Sequence, residues 1–185
     1  MLIGLVGYKG SGKTTACNII KKHLDDVVQL NFKDALIEEL IANFPELLLE
    51  IALIYGYIQE GEELTRDVID LMFAEKKPLV RALMKNYGTD VRRKEDPDYW
   101  VRQWMDARKG TYTLTDDVRF RNEAQTIKIY GGILIRLERT DLEATDQHLT
   151  ETEQREIECD YTISVGKGEL DKLEEELITI LNELS

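Results

Sequence analysis

Eight residues near the start of the chain, Gly7-Tyr8-Lys9-Gly10-Ser11-Gly12-Lys13-Thr14, fit the pattern G-x-x-x-x-G-K-[ST] at every fixed position. They directly follow a short apolar run, Leu2-Ile3-Gly4-Leu5-Val6, and lead into a helical pattern. A strand feeding a glycine-rich turn and then a helix aims several backbone N–H groups at one point. Anionic oxygens there replace the acceptors that a helix start lacks. Glycines are required because a side chain would block that close approach. Lys13 then reaches the β- and γ-phosphates as a compact positive charge, and the Thr14 hydroxyl helps to hold Mg²⁺. The chemistry implied is the binding of a nucleoside triphosphate.

A second constellation, Thr115-Asp116-Asp117-Val118-Arg119-Phe120-Arg121-Asn122-Glu123, ends an expected strand and opens an expected helix. In a doubly wound sheet such a junction lies at the carboxyl edge, where ligands bind. Extended backbone would point Asp117 and Arg119 the same way, and a helix would stack Arg119 on Glu123. The plainer alternative is a surface ion pair between Arg119 and Glu123 with Asp117 as a helix cap.

These groups need a scaffold, and 185 residues suffice for one core carrying a small inserted subdomain. Helical and apolar stretches alternate: strand 2–6, helix 13–24, strand 27–32, helix 33–43, a long helical middle, strand 111–118, helix 120–130, strand 132–138, strand 160–165 and a terminal helix. Such alternation predicts an α/β fold with a parallel sheet and helices on both faces. The middle, about 44–108, has no obvious strand and reads as an all-helical insertion beside the active site. In the tail, Leu170, Leu173, Leu177, Ile180, Leu181 and Leu184 describe one apolar helix face with an acidic back.

A net charge of −12 argues against a nucleic-acid polymer as partner, because such binding draws its affinity from cationic contacts to phosphates. An anionic ligand must therefore meet a local positive pocket. No apolar run approaches the roughly 20 residues needed to cross a bilayer, so no membrane partner is expected. The N-terminus carries no basic n-region or cleavage site, and a cytoplasmic location is expected. Cys17 and Cys159 read as small apolar residues rather than a disulfide or metal site.

Taken together, these stretches resemble the bacteriophage-type deoxynucleoside monophosphate kinases, a branch of the P-loop nucleotide kinases that is also similar to dephospho-coenzyme A kinase. The matching stretches are Gly7 to Thr15, Phe32-Lys33-Asp34-Ala35-Leu36, Tyr87-Gly88-Thr89-Asp90 with Arg93, and Asp98-Tyr99-Trp100-Val101. They continue with Asp117-Val118-Arg119-Phe120-Arg121-Asn122-Glu123-Ala124, Gly131-Gly132, Ile135 to Arg139, Asp146 to Glu151, and Asp160-Tyr161-Thr162-Ile163. The resemblance implies a three-layer fold with a five-stranded parallel sheet, a helical acceptor-binding insertion and a lid at about 140–156. It implies transfer of the γ-phosphoryl group of ATP to a deoxynucleoside 5′-monophosphate with Mg²⁺. It further implies a host-cytoplasm location if the chain is phage-encoded, and a homodimer is open to it.

By that resemblance Gly7, Lys9, Gly10, Ser11, Gly12, Lys13, Thr14 and Thr15 hold the nucleotide, Thr14 holds the metal directly or through water, and Asp117 holds the metal or positions the acceptor. Arg119 takes the acceptor's 5′-phosphate, and Glu123 orients Arg119 or contacts the sugar. Asp34 and Arg93 serve the acceptor. Relatives often carry aspartate at the position of Thr14, and the strand before Asp117, Tyr112 to Asp116, is less apolar than a buried strand usually is. Asp116 therefore stands as the alternative metal ligand.

Arg139, just after a strand and ahead of the polar stretch 140–156, is expected to clamp the phosphates as a lid closes, with Arg136 a weaker candidate. His148 is expected to be solvated, since phosphoryl transfer scarcely needs a general base. Arg81, Arg92 and Arg93 could build an acceptor-phosphate pocket. Trp100 and Trp104, four apart on a helix, are expected to pack rather than stack on a base. The rival readings are a dephospho-coenzyme A or other small-molecule kinase, and a non-catalytic nucleotide-binding regulator.

Overall fold

The computed structural model describes residues 1–141 and 153–184. Five strands, β1 (Leu2–Val6), β2 (Val27–Gln29), β3 (Tyr112–Thr115), β4 (Ile133–Arg139) and β5 (Tyr161–Val165), form one parallel sheet in the order β2-β3-β1-β4-β5. The helices are α1 (Lys13–His23), α2 (Phe32–Asn43), α3 (Pro45–Ile54), α4 (Arg66–Glu75), α5 (Pro78–Lys85), α6 (Tyr99–Asp106), α7 (Arg121–Ile129) and α8 (Leu170–Glu183). The chain divides into two compact units, one comprising Met1–Phe32 with Trp104–Ser185 and the other Lys33–Gln103.

In the first unit β1 is central and wholly buried, as an apolar strand flanked by parallel neighbours must be. Its period of two divides the helices between the faces. Ile3 and Leu5 pack with Ala16, Cys17 and Ile20 of α1 and with Leu173 and Leu177 of α8, whereas Gly4 faces Ile127 of α7. This is the expected three-layer α/β architecture. In α8, Leu173, Leu177, Ile180 and Leu181 are buried as the periodicity requires, but Leu170, the first residue of the helix, is exposed. Cys17 and Cys159 are not joined in a disulfide, and Cys17 lies in the core.

Two strands end sooner than the apolar pattern suggests. β2 ends at Gln29, the Leu30 N–H makes one more bond to the Leu114 carbonyl at 2.9 Å, and α2 starts at Phe32, whose N–H is taken by the Asp117 carboxylate at 2.9 Å. After Thr115 the Asp116 N–H turns to the Asn31 side chain, at 3.0 Å. The polar character of β3 also has a local cause. The Thr113 hydroxyl donates to the Lys109 carbonyl and the Thr115 hydroxyl to the Asp117 carboxylate, so both buried hydroxyls are satisfied.

The second unit contains no strand among the described residues, in keeping with its lack of alternating pattern. Its apolar core gathers Leu40, Leu48, Ile51, Met72, Phe73 and Trp100. Between α5 and α6 lies a π-helical segment, Asn86–Arg93, which the sequence does not announce. Compactness starts at Lys33, earlier than the helical middle read from 44.

Candidate active site

The residues with chemical potential in the first unit collect beyond the carboxyl ends of the neighbouring strands β1 and β3, where Gly4 is in register with Thr115. Gly7 leaves β1 with no room for a side chain, since a Cβ there would lie 2.5 Å from the Leu137 carbonyl oxygen and from Ser11 Oγ. Gly12 sits at the helix cap with φ of 95°, a left-handed conformation that turns the loop into α1 without a steric penalty. No side chain caps α1, so its first N–H groups remain directed into the loop, the arrangement that binds phosphate oxygens. Ser11 Oγ is buried, with 3% of the residue exposed, and has no hydrogen-bond partner. A buried hydroxyl in that condition is an unmet donor at the floor of the cradle. Lys9 and Thr14 are exposed, and Thr15 is half-buried.

The Lys13 ammonium donates to the carbonyls of Gly7 and of Tyr8, the latter at 2.8 Å. Its pKa is lowered to about 8, chiefly by burial and next by the positive charge of Arg119, while Asp116 and Asp117 pull the other way. Lys13, Arg119, Asp116 and Asp117 therefore share one electrostatic neighbourhood. The two sequence constellations meet.

Asp117 is 8% exposed, and its Oδ1 accepts from the Phe32 N–H at 2.9 Å and the Thr115 hydroxyl at 2.8 Å. Asp116 is only half-buried. Arg119 is exposed. It precedes α7, so the helical ion pair with Glu123 that the spacing allowed does not form. Nor does Asp117 cap the helix, since Phe120 occupies that position. Instead Glu123, only 1% exposed, accepts with Oε2 from the main-chain N–H groups of Arg119 at 2.8 Å and Phe120 at 3.1 Å. Phe120 has no side-chain acceptor, so only the returning half of a capping box is made. Glu123 thus acts on Arg119 through the backbone, and its burial leaves no surface for a sugar. Glu123→Ala would orphan two N–H groups and is expected to lower stability by about 2–4 kcal/mol. Urea unfolding measures this, and a loss under about 0.5 kcal/mol would remove the capping role.

Further cations border the loop. Arg139, at the end of β4, donates to the Gly10 carbonyl at 3.3 Å and holds Asp141 through two bonds of 2.8 and 2.7 Å. Arg155, which the sequence reading missed, donates to the Tyr8 hydroxyl and lies 5.6 Å from that ring's centre. Nothing in the local pattern singles it out, because the chain returns to the loop only in three dimensions. Lys9 and Lys13 belong to the loop itself, Arg139 and Arg155 bond to its Gly10 and Tyr8, and Arg119 acts on the charge of Lys13, so positive charge gathers near the loop in a chain of net charge −12. Arg136 does not join them, since its guanidinium donates to the carbonyls of Gln154 and Ile157. Residues 142–152 of the expected lid, with His148, lie outside the described residues.

In the second unit, Asp34 lies in the first turn of α2 and Arg93 at the end of the π-helical segment. Arg92 drops out of the expected phosphate pocket. It pairs with Glu39 at 3.1 Å and lies over the rings of Tyr87 and Tyr99, both of which donate to the same carboxylate. Trp100 and Trp104 are both buried. The Trp100 indole donates to the Gly88 carbonyl, while Trp104 stacks on Phe32 and donates to the Leu30 carbonyl, which excludes base stacking.

Asp116 and Asp117, both acting on the charge of Lys13, are hard oxygen donors, as is the hydroxyl of Thr14 next to Lys13 in the chain. Mg²⁺ is commonly held by one or two carboxylates together with substrate phosphates and water, so this set fits it. No cluster of three or more His, Cys, Asp or Glu residues exists among the described residues, and such a metal requires none. No helix among the described residues is long and apolar enough to cross a membrane.

Comparison with known proteins bears on the chemistry. Residues 57–177 match the family model for deoxynucleotide monophosphate kinase. That stretch starts beyond the phosphate loop, so the loop and the family match are separate pointers. A protein of Acanthamoeba polyphaga mimivirus assigned as a deoxynucleotide monophosphate kinase is 29% identical over 205 residues, covering 100% of this chain and 98% of its own. Among solved structures, dephospho-CoA kinase from Campylobacter jejuni is similar at 12% identity with a TM-score of 0.46, covering 100% of this chain and 97% of that one. Shikimate kinase from Aquifex aeolicus is similar at 14% identity with a TM-score of 0.45, covering 98% and 96%. Likenesses this distant carry no further argument. The family match spans more than half of the residues, and with it the chain belongs to the deoxynucleotide monophosphate kinase family and is a nucleotide kinase.

Proposed function

We propose that the chain transfers the γ-phosphoryl group of ATP to the 5′-phosphate of a deoxynucleoside monophosphate. An acceptor phosphate oxygen forms the new P–O bond as the bond between the γ-phosphorus and the β,γ-bridging oxygen breaks, giving ADP and the deoxynucleoside diphosphate. The observation that supports this most is the shared neighbourhood of Lys13 and Arg119. In this reading the two are the donor-phosphate cation and the acceptor-phosphate cation, close enough for the charge of one to act on the other.

Such chemistry consists largely of positioning and charge neutralisation, with no covalent nucleophile. In this reading the loop N–H groups and Ser11 hold the triphosphate, Lys13 neutralises the transferring group, and Arg139 and Lys9 add charge at the loop. Arg119 binds the acceptor phosphate, and Glu123 positions it. Asp34 and Arg93 serve the acceptor nucleotide. Thr14 and Asp117, with Asp116 as the alternative, would hold Mg²⁺, which supplies further neutralisation of phosphate charge. The helical stretch at about 44–108 would act as the acceptor-binding insertion, and a cytoplasmic place of action belongs to the same reading.

The direct test is an assay of ATP and Mg²⁺ against a panel of deoxy- and ribonucleoside monophosphates and dephospho-coenzyme A, with products separated by chromatography. Diphosphate from at least one deoxynucleoside monophosphate is expected. Transfer to dephospho-coenzyme A alone would overturn the acceptor, and ATP binding with no transfer would favour a regulator.

A pH effect follows from Lys13. Its pKa of about 8 lies below the ordinary lysine value because of burial and Arg119, and a bound triphosphate would favour the charged form and raise it. Between the two values the free protein lacks the proton that the complex carries, so ATP binding is expected to take up a proton near pH 8.5–9. Calorimetry in buffers of different ionisation enthalpy measures the uptake, and an equal heat in all of them would contradict it.

A further inference from the structure

Gln154 is 6% exposed, and its carboxamide nitrogen donates to two main-chain oxygens, those of Gly7 at 3.2 Å and Val118 at 3.1 Å. Both partners are carbonyls, which only accept, so the nitrogen must face them and the orientation of the amide is fixed by chemistry. Its own main-chain carbonyl is held in turn by Arg136 of β4 at 3.2 Å. Gly7 opens the phosphate loop, and Val118 stands between Asp117 and Arg119. One buried amide thus ties the donor loop to the segment that carries the acceptor-side groups.

The Gly7 carbonyl has a second donor, the Lys13 ammonium. For Lys13 to reach a phosphate it must give up that bond, and a buried carbonyl left without a partner costs about 1–3 kcal/mol. Gln154 keeps the oxygen satisfied when the ammonium departs. It therefore keeps the loop in place and removes an obstacle to the movement of Lys13.

We propose that Gln154 is a positioning residue that holds the triphosphate loop in register with the Asp117–Arg119 segment, so that the γ-phosphoryl group meets the acceptor rather than water. This rests on the phosphoryl-transfer reading above. Register at this scale matters, because a displacement of about 1 Å can cost roughly 100-fold in rate.

The test uses the full chain and Gln154→Met, which keeps the length of the side chain and removes both donors. ADP and deoxynucleoside diphosphate are quantified separately with a saturating acceptor. The wild type should form them one for one. In Gln154→Met, diphosphate formation should fall by roughly 10- to 100-fold with the KM for ATP within about threefold, and ADP should exceed diphosphate because water intercepts the transfer. Gln154→Asn, polar but one methylene too short, should show the same excess more weakly and serves if the methionine variant does not fold. A fall in ADP and diphosphate in parallel would indicate only a structural role and overturn the inference, as would unchanged kinetics. If the wild type makes no diphosphate from any deoxynucleoside monophosphate, the phosphoryl-transfer reading fails first and the inference falls with it.

Discussion

Replacing Lys13 by methionine should lower kcat/KM by about 10²- to 10³-fold with every acceptor, the loss typical of removing one preorganised charge from a transition state that spreads negative charge over several oxygens. Folding should survive, and the physics gives this a sign. Burial and Arg119 oppose the charged form of Lys13, so its pKa of about 8 is below the unfolded value of 10.5. Below pH 8 both states hold the proton, and the wild type bears the full cost of burying a cation. Between about 8 and 10.5 the unfolded chain binds more protons, so the stability of the wild type rises with pH relative to the variant. Lys13→Met should therefore be at least as stable as the wild type at pH 7, and its advantage should shrink toward pH 10. Thermal unfolding across that range, paired with steady-state kinetics, checks both halves. Near-normal turnover would remove Lys13 from the mechanism.

Arg119→Ala should separate the acceptor from the donor. Loss of the cation at the acceptor phosphate is expected to reduce kcat/KM for the deoxynucleoside monophosphate by about 10²- to 10³-fold, while the Kd for ATP changes by no more than about threefold. Arg119→Lys should recover only part of the activity, because a point charge cannot reproduce the two-pronged geometry of a guanidinium on a phosphate. A second readout is independent of acceptor binding. Arg119 is the largest charge effect depressing the Lys13 pKa, so its removal should raise that pKa and move proton uptake on ATP binding to higher pH. Unchanged kinetics and an unchanged proton-uptake profile together would detach Arg119 from the site.

Much of the geometry of the phosphate loop was legible without a structure. The phosphate loop is eight contiguous residues, and its strand, turn and helix are set by short-range geometry, so its glycines, Lys13 and Thr14 could be named from spacing alone. Alternating apolar and helical stretches implied the parallel sheet, and a period near 3.6 identified the buried face of α8 apart from Leu170, the exposed first residue of the helix. The buried tryptophans followed from their spacing of four.

What the sequence could not yield are the consequences of long-range closure. Spacing suggested that Glu123 and Arg119 would pair as side chains, yet burial of the carboxylate under a helix start turned it to the main chain. Arg92 looked available for a phosphate until folding set it against Glu39, 53 residues away. The Asp117 carboxylate is shared with an N–H group 85 residues distant. Gln154 meets Gly7 across 147 residues and Arg155 meets Tyr8 across the same span. The sequence by itself determined which local units form and which residues carry charge. Only the tertiary structure decided which of those charges and amides meet, because hydrogen-bond partners of buried groups are assigned when distant strands and loops compete to satisfy them.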